Sequence, residues 1–577
     1  MNFVIIFFLY IVSLSAEDLK TCYSVQLLSF PSAQAKTLTK IPEGCQIITI
    51  GKNSSIRCGC KKEFKNIQED LAEFKKNYSN AILVNTYKYR FDSSQNTHPK
   101  NLTKFYNEID WSKYNVELLK KDISKKLYGD NINLIPVNRL YFLAKENMYE
   151  FKNIWNNAGI LWPKFIVLGY GRYDIDKLYK SINDKNIIEK VAQNSYIIKR
   201  PIYISASASL LINNVTLRLS NAHGAYISYH GNLDIVDATV TSWNIEKSNY
   251  GPREKMDKNE LLFYLKQEPR PFLLGLEGSF TKIINSDIIG LGYKGQSGTF
   301  GISFLKSTQQ IQSYNLKKVF RKRKKPEALL VGNNISKCFF GFYTNNANNI
   351  ILAGNTLHDN IMYNFDPHDF SGGLIVARNL SYNAVYAHGI IFSKKVKHSI
   401  IAENIVFANY GSGIMLDRTS ESNLIYKNLS FENRSNGVAI YESSKNIISK
   451  NIIFRNNNNG ISIRNSRKIR IEDNLIYRNG NNGAEVSTVN IDALETRNFE
   501  LDPYEKSTQA SFIENHFEKN VNSALSLKNG ASLFFKNNTL TNSGPLFFSG
   551  EIEDFTEDIL KKNENSGFSY KYKVEKK

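Results

Sequence analysis

The chain has 577 residues, of which 42% are hydrophobic and 22% charged. That is enough for two or three domains with ordinary buried cores, and it excludes a disordered, collagen-like or disulfide-dense chain. Lys and Arg number 74 against 54 Asp and Glu, a formal charge of +20, which suits an acidic partner such as an anionic polysaccharide, a nucleic acid or an anionic lipid.

Residues 1–16, MNFVIIFFLYIVSLSA, form an apolar run ending in small residues and too short to span a bilayer permanently. This reads as a cleaved signal peptide, with the mature chain starting near Glu17. Export makes two disulfides among Cys22, Cys45, Cys58 and Cys60 the expectation, with three connectivities open. Cys338 stands alone in the apolar run CFFGF and reads as a buried thiol.

From about residue 20 to 90 the pattern is strand, short helix, strand, strand, helix and strand, the order of a ferredoxin-like split unit, a small α+β domain. Tyr23-Ser24-Val25-Gln26-Leu27, Ser29-Phe30 and Ile56-Arg57-Cys58-Gly59 resemble the SPOR family, and that resemblance implies a module able to bind peptidoglycan. Residues 91–190 read as a linker and a short helical region, with helical stretches at 115–126 and 137–155. The basic run KKVFRKRKK at 317–325 has no aromatic interleaving and ends at Pro326. It reads as a solvated loop, not a nucleic-acid patch.

From about residue 195 to 550 the chain changes to short β-branched strands separated by Asn and Gly. Asn355, Asn379, Asn404, Asn428, Asn451 and Asn474 recur at intervals of 23 to 25. Gly341, Asn364, Gly389, Gly413, Gly437, Gly460 and Gly483 keep the same period at another corner. Two series in phase describe a solenoid, and short strands with Asn at inward bends fit a right-handed parallel β-helix, an all-β main domain of 23–25 residues per coil. The asparagines would form a structural ladder. Residues 551–577 read as a charged C-terminal tail.

In the strand after each member of the second series, residues one and three are apolar and residues four and five polar. The polar pairs run Asn345-Asn346, His368-Asp369, Ser393-Lys394, Asp417-Arg418, Tyr441-Glu442 and Arg464-Asn465. Stacking at about 4.8 Å turns these pairs into a ladder of titratable groups on one face, a signature of a site.

Asn364-Phe365-Asp366-Pro367-His368-Asp369-Phe370-Ser371, with His388-Gly389, Leu416-Asp417-Arg418, Tyr441-Glu442-Ser443 and Arg464-Asn465-Ser466, closely resembles the periplasmic poly(mannuronate) C5-epimerases of alginate biosynthesis. The resemblance covers about residues 195–550. It implies inversion at C5 of mannuronate units within a finished polymer, no cofactor, and a periplasmic location. The C5 proton lies beside a carboxylate, so a cation must neutralise that group while a base removes the proton. His368 matches the family's base, with Asp366 and Asp369 orienting it. Lys394 stands where the family has its carboxylate-neutralising arginine, a point charge in place of a bidentate fork. Arg418, Asp417, Tyr441, Glu442, Arg464, Asn465 and His388 complete the expected substrate contacts.

No metal site is expected, since the calcium-binding nonapeptides of secreted modular epimerases are missing. The expected partners are an acidic polysaccharide, peptidoglycan through the N-terminal module, and a periplasmic polymer-export complex, with no nucleic acid. Two other readings share the groove: a polysaccharide lyase acting by β-elimination, and a non-catalytic polymer-binding scaffold.

Overall fold

Each coil closes because the corners alternate between residues that bond across coils and residues that leave room for them. A computed structural model describes residues 21–31, 41–50, 53–61, 63–87, 101–136, 154–156, 159–160, 163–246, 248–249, 269–295, 297–306, 324–492, 497–499 and 502–571. The expected signal peptide and most of the basic run at 317–325 lie outside the described residues, as do residues 137–153 of the second expected helix.

The N-terminal unit is a four-stranded antiparallel sheet of Thr21–Pro31, Cys45–Ile50, Asn53–Lys61 and Ile82–Tyr87. In chain order the strands lie 2-3-1-4, the arrangement of a split βαβ unit. Helix Lys65–Lys75 contributes Ile67 to a core with Val25, Leu27, Ile56 and Ala81. Of the three possible connectivities the fold selects Cys22–Cys60 and Cys45–Cys58. Each closes a loop and removes disordered states from the unfolded chain, worth about 2–4 kcal/mol. Cys338 is the buried free thiol, its pKa pushed up to about 11 by burial, which keeps it protonated and inert.

The second unit is a parallel β-helix with three strands per coil. One sheet, here called the groove sheet, stacks Phe340–Asn345, Phe365–His368, Ile390–Ser393, Ile414–Asp417, Val438–Tyr441, Ile461–Arg464, Ala484–Ser487 and Leu525–Lys528. A second sheet includes Ile375–Ala377, Ile400–Ala402 and Leu424–Tyr426, and a third Leu380–Tyr382, Ile405–Phe407 and Leu429–Phe431. Phe365, Ile390, Ile414, Val438 and Ile461 fill one interior row, each fully buried, contributing about 1.5–3 kcal/mol apiece. The third sheet carries an outward stack of His358, Tyr382, Phe407, Phe431, Phe454 and Tyr477 with ring centroids 4.9–5.1 Å apart. These rings spend their faces on one another.

The asparagine ladder has the expected form. Asn404 donates its Nδ2 to Asn428 Oδ1 at 2.9 Å, and its backbone N–H reaches the same oxygen at 3.0 Å. Asn428 repeats both bonds to Asn451, and each Nδ2 also caps a carbonyl inside the coil. The glycine series has a steric cause. A Cβ on Gly437 would stand 2.8 Å from Gly460 O and 2.7 Å from Asn456 Nδ2, distances that force the neighbouring coil to move.

Two boundaries differ from expectation. Strand Lys164–Asp174 pairs in parallel with Ile202–Asn213, so the solenoid starts inside the stretch read as linker and helices. Residues 551–571 are no tail: helix Thr556–Asn563 buries Ile559, and Phe568–Tyr570 pairs antiparallel with Ser532–Lys536. The high charge there marks the solvent side of an amphipathic cap, which closes the open end of the core. The helix read at 115–126 is shorter, Val116–Lys121, and helical turns at Leu102–Asn107 and Trp111–Tyr114 precede it. It buries Tyr106 against Ile375, Ile400 and Leu424 on the outer face of the second sheet.

Candidate active site

Strand alternation sends residues two and four of each groove-sheet strand outward. The fourth positions run in register Asn345, His368, Ser393, Asp417, Tyr441, Arg464. The fifth residues are not part of the strand. Asn346, Asp369, Lys394, Arg418, Glu442 and Asn465 all have φ between 30° and 57°, a left-handed bend that turns the chain toward the second sheet. The polar pair read from the sequence is therefore a strand end plus its turn, repeated in each coil.

At His368 this bend brings the next side chain back onto the ring. Nδ1 lies 2.8 Å from Asp369 Oδ2, and Asn345 Nδ2 donates to the same oxygen at 3.3 Å. The backbone is held as well: His368 N–H donates to Thr344 Oγ1 at 3.2 Å, and Ser371 Oγ donates to His368 O at 2.7 Å. Among the described residues Nε2 has no hydrogen-bond partner, so the second nitrogen is available to a ligand. Asp369 is buried. Burial raises its pKa, but His368, Lys394 and Lys395 outweigh that and hold the carboxyl below its ordinary value. It is an anion that fixes the imidazole's orientation.

Asp366, two residues earlier on the same strand, plays a different part from the orienting one expected of it. Its side chain does not bond His368, and its Oδ1 is buried without a hydrogen-bond partner. Burial raises its pKa from 3.8 to about 7, with Asp369 and Asp417 adding to the rise and His368 and Lys394 opposing it. A carboxyl poised near neutrality beside the imidazole can hold or release a proton. Lys394, one coil on, is felt by both aspartates, so His368, Asp366, Asp369 and Lys394 form one electrostatic cluster.

Arg418 and Asp417 follow on the next coil, Arg418 Nε 3.7 Å from Asp417 Oδ2. Farther along, the Arg464 guanidinium lies 4.2 Å over the Tyr441 ring and reaches Glu442 Oε1 at 3.4 Å. These five side chains continue the same face. Two expected contacts are employed elsewhere. Asn465 is fully buried; its Nδ2 donates to Val489 O and Glu505 O at 2.8 Å, and its Oδ1 accepts from Val489 N–H. It anchors the loop after Ser487. His388 is half-buried at the corner, its Nδ1 accepting the Ser412 N–H at 2.9 Å. Burial lowers its pKa to about 4, so the ring, stacked on Tyr363, is neutral.

Several residues of the site were not legible beforehand. Tyr343 lies on the coil before His368 with ring centroids 5.9 Å apart, and burial holds its hydroxyl well above the ordinary range. Tyr363 is likewise pushed up by burial and feels Asp366, Asp417 and Arg418. Strand alternation signals Tyr343; nothing local signals Tyr363. Lys325, read with a solvated run, donates its Nζ to Phe370 O at 2.9 Å and Asn348 Oδ1 at 3.2 Å. Burial, helped by Lys306, lowers its pKa to about 8.

A family model described as "Right handed beta helix region" matches residues 377–501 and 419–558. The mannuronan C5-epimerase AlgG of Azotobacter vinelandii is 32% identical over 403 residues, covering 69% of this chain and 73% of that protein. The mannuronan C5-epimerase of Pseudomonas fluorescens is 34% identical over 243 residues. That match spans 41% of this chain and less than half, 43%, of the relative. The crystal structure of a periplasmic alginate epimerase, AlgG, superposes with a TM-score of 0.66 at 26% identity, covering 77% of this chain and 98% of that one. With a relative 32% identical over more than two thirds of both chains, the chain belongs to the mannuronan C5-epimerase family.

Proposed function

We propose that this protein inverts C5 of D-mannuronate residues within alginate or a related polyuronate, giving L-guluronate without cleaving the chain. The observation that carries the reading is the His368 ring: Nδ1 is engaged by a buried anion, and Nε2 is left to the groove. His368 takes the C5 proton, and Asp369 stabilises the imidazolium that results. Lys394, assisted by Arg418, neutralises the substrate carboxylate as charge moves onto it. The proton returns on the other ring face from water or a group in exchange with it. Asp366, poised near neutrality, sets the local proton supply.

The similarity to mannuronan C5-epimerases supports this reaction and substrate, and the similarity to a periplasmic alginate epimerase supports a periplasmic location. The N-terminal unit serves as a separate binding module, for peptidoglycan or for a polymer-export complex. Incubation with polymannuronate separates the chemistries: guluronate signals in proton NMR with unchanged chain length are expected. Unsaturated uronate ends would identify a lyase, and tight binding with neither product would identify a scaffold.

A further inference from the structure

A site that inverts a carbon needs a proton acceptor on one face of the sugar ring and a proton donor on the other. His368 ends the four-residue strand Phe365–His368. At the opposite end of that strand, two positions before Phe365, the corner residue is Tyr363. The strand between them spans about 13 Å at about 3.3 Å per residue, room for one sugar ring between the two side chains.

The Tyr363 ring is held from two sides. It stacks on His388 of the next coil, with centroids 5.9 Å apart and planes 16° from parallel, and it meets the Phe340 ring edge-on at 5.0 Å. Its hydroxyl feels Asp366 on its own coil, and Asp417 and Arg418 two coils on. Only a position over the floor, at the level of the intervening Lys394 coil, brings it near all three. The residue is partly exposed, and among the described residues its hydroxyl has no hydrogen-bond partner.

The other hydroxyls of the face are engaged or closed off. Tyr441 OH accepts Asn436 Nδ2 at 3.3 Å and lies 3.3 Å from Ser462 Oγ. It also stands three coils beyond His368, about 14 Å away along the axis. Ser393 is buried, its Oγ donating to Asp417 Oδ2 at 3.4 Å, and Tyr343 is buried in the floor.

We propose that Tyr363 is the acid of the epimerisation: its hydroxyl donates the proton that reaches C5 on the ring face turned away from His368. The proposal rests on the reading of the reaction given above and assigns the returning proton to a side chain. His368 Nε2 takes the C5 proton, and the electron pair of that bond moves into C5–C6 and onto the carboxylate oxygen neutralised by Lys394. The pair then returns to C5 as the new bond to the Tyr363 proton. The tyrosinate takes a proton from water and the imidazolium gives one up, so each turnover leaves the enzyme as it began. Burial, with Asp366 and Asp417 adding to it and Arg418 opposing, holds the hydroxyl above its ordinary range. The proton is therefore in place before each turnover and is recovered after it.

The test compares the full-length wild type and Tyr363→Phe on polymannuronate in D2O, with polymer binding and melting temperature measured beside them. Phenylalanine keeps the ring contacts to His388 and Phe340 and removes the proton. Guluronate formation should fall about 100-fold or more, the scale of a general acid. Deuterium should still enter C5 of residues that remain mannuronate, because His368, with no donor opposite, returns a solvent-derived deuteron to the face it came from. Exchange without inversion is an outcome that a purely structural loss does not produce. Guluronate at the wild-type rate in Tyr363→Phe would overturn the proposal, and so would joint loss of guluronate and exchange with binding and melting unchanged. The wild type supplies an independent check: its guluronate should carry deuterium at C5 from the first turnover, since the abstracted proton stays on His368. Protium carried over from mannuronate would show one group serving both faces and would overturn the assignment while the epimerase reading stands. A wild type that forms no guluronate would overturn the reaction itself and this proposal with it.

Discussion

Asp369 Oδ2 lies 2.8 Å from His368 Nδ1, a contact between sequence neighbours that an extended strand forbids and the left-handed turn at Asp369, φ 30°, allows. In Asp369→Asn the shape is kept and the charge lost. Turnover should fall by one to two orders of magnitude, the scale of a charge-assisted hydrogen bond worth about 1.5–3 kcal/mol, with melting temperature and substrate affinity little changed. Steady-state kinetics beside thermal melts check this; a parallel loss of stability and activity would make the pair structural.

Asp366 gives the protein a pH signature. Its folded pKa stands at about 7 against 3.8, so between pH 4 and 7 the folded chain retains a proton that the unfolded chain gives up. Stability from this group is complete below pH 4, falls as pH rises through that window, and is level above it. Asp366→Asn cannot ionise. It should melt at the wild-type temperature at pH 4 and above it at pH 8, by an amount worth up to about 4 kcal/mol. Melts across the window that show the same slope in both proteins would place the carboxyl in solvent.

Asn428→Ala removes the acceptor of both Asn404 bonds and the donor to Ile401 O. The stranded turn groups should cost about 1–3 kcal/mol, read as a lower melting temperature with unchanged catalysis per folded molecule. An unaltered melt would mean that water replaces the amide.

Lys325 holds the carbonyl of Phe370, next to Asp369. Lys325→Met should lower kcat with KM and melting temperature nearly unchanged, and Lys325→Arg should restore most of the loss by renewing the donor. Lys394→Arg, which keeps the positive charge, should retain activity, whereas Lys394→Ala should lose it. A Lys325→Met enzyme with wild-type kcat would show that the turn needs no such brace.

The β-helix was legible because its signal is periodic: Asn at one bend and Gly at another repeat for structural reasons, stacked amides and close coil approach, that hold in every coil. The His368 turn was legible because Asp366, His368 and Asp369 fall within four successive residues. What escaped was set by other coils. Tyr363 joins the site through its corner, and Lys325 reaches it from a different strand entry. Asn465 looks like a site residue until its buried partners are seen, and His388 until its Nδ1 is found on the Ser412 N–H. Asp366 and Asp369 are alike in sequence, and only the turn tells which of them meets the imidazole. The charge of residues 551–571 hid a cap, since helix Thr556–Asn563 buries Ile559 on one side and presents Lys561 and Lys562 in its last turn.

The central claim is that His368 removes the C5 proton of a polymer-bound mannuronate. Proton NMR of polymannuronate in D2O, with the wild-type protein and with His368→Asn compared at equal substrate occupancy, tests it most directly. The asparagine is similar in size and cannot act as a base. The account predicts deuterium at C5 and new guluronate with the wild type, and neither with the variant, although both bind polymer. Full exchange in His368→Asn would contradict it.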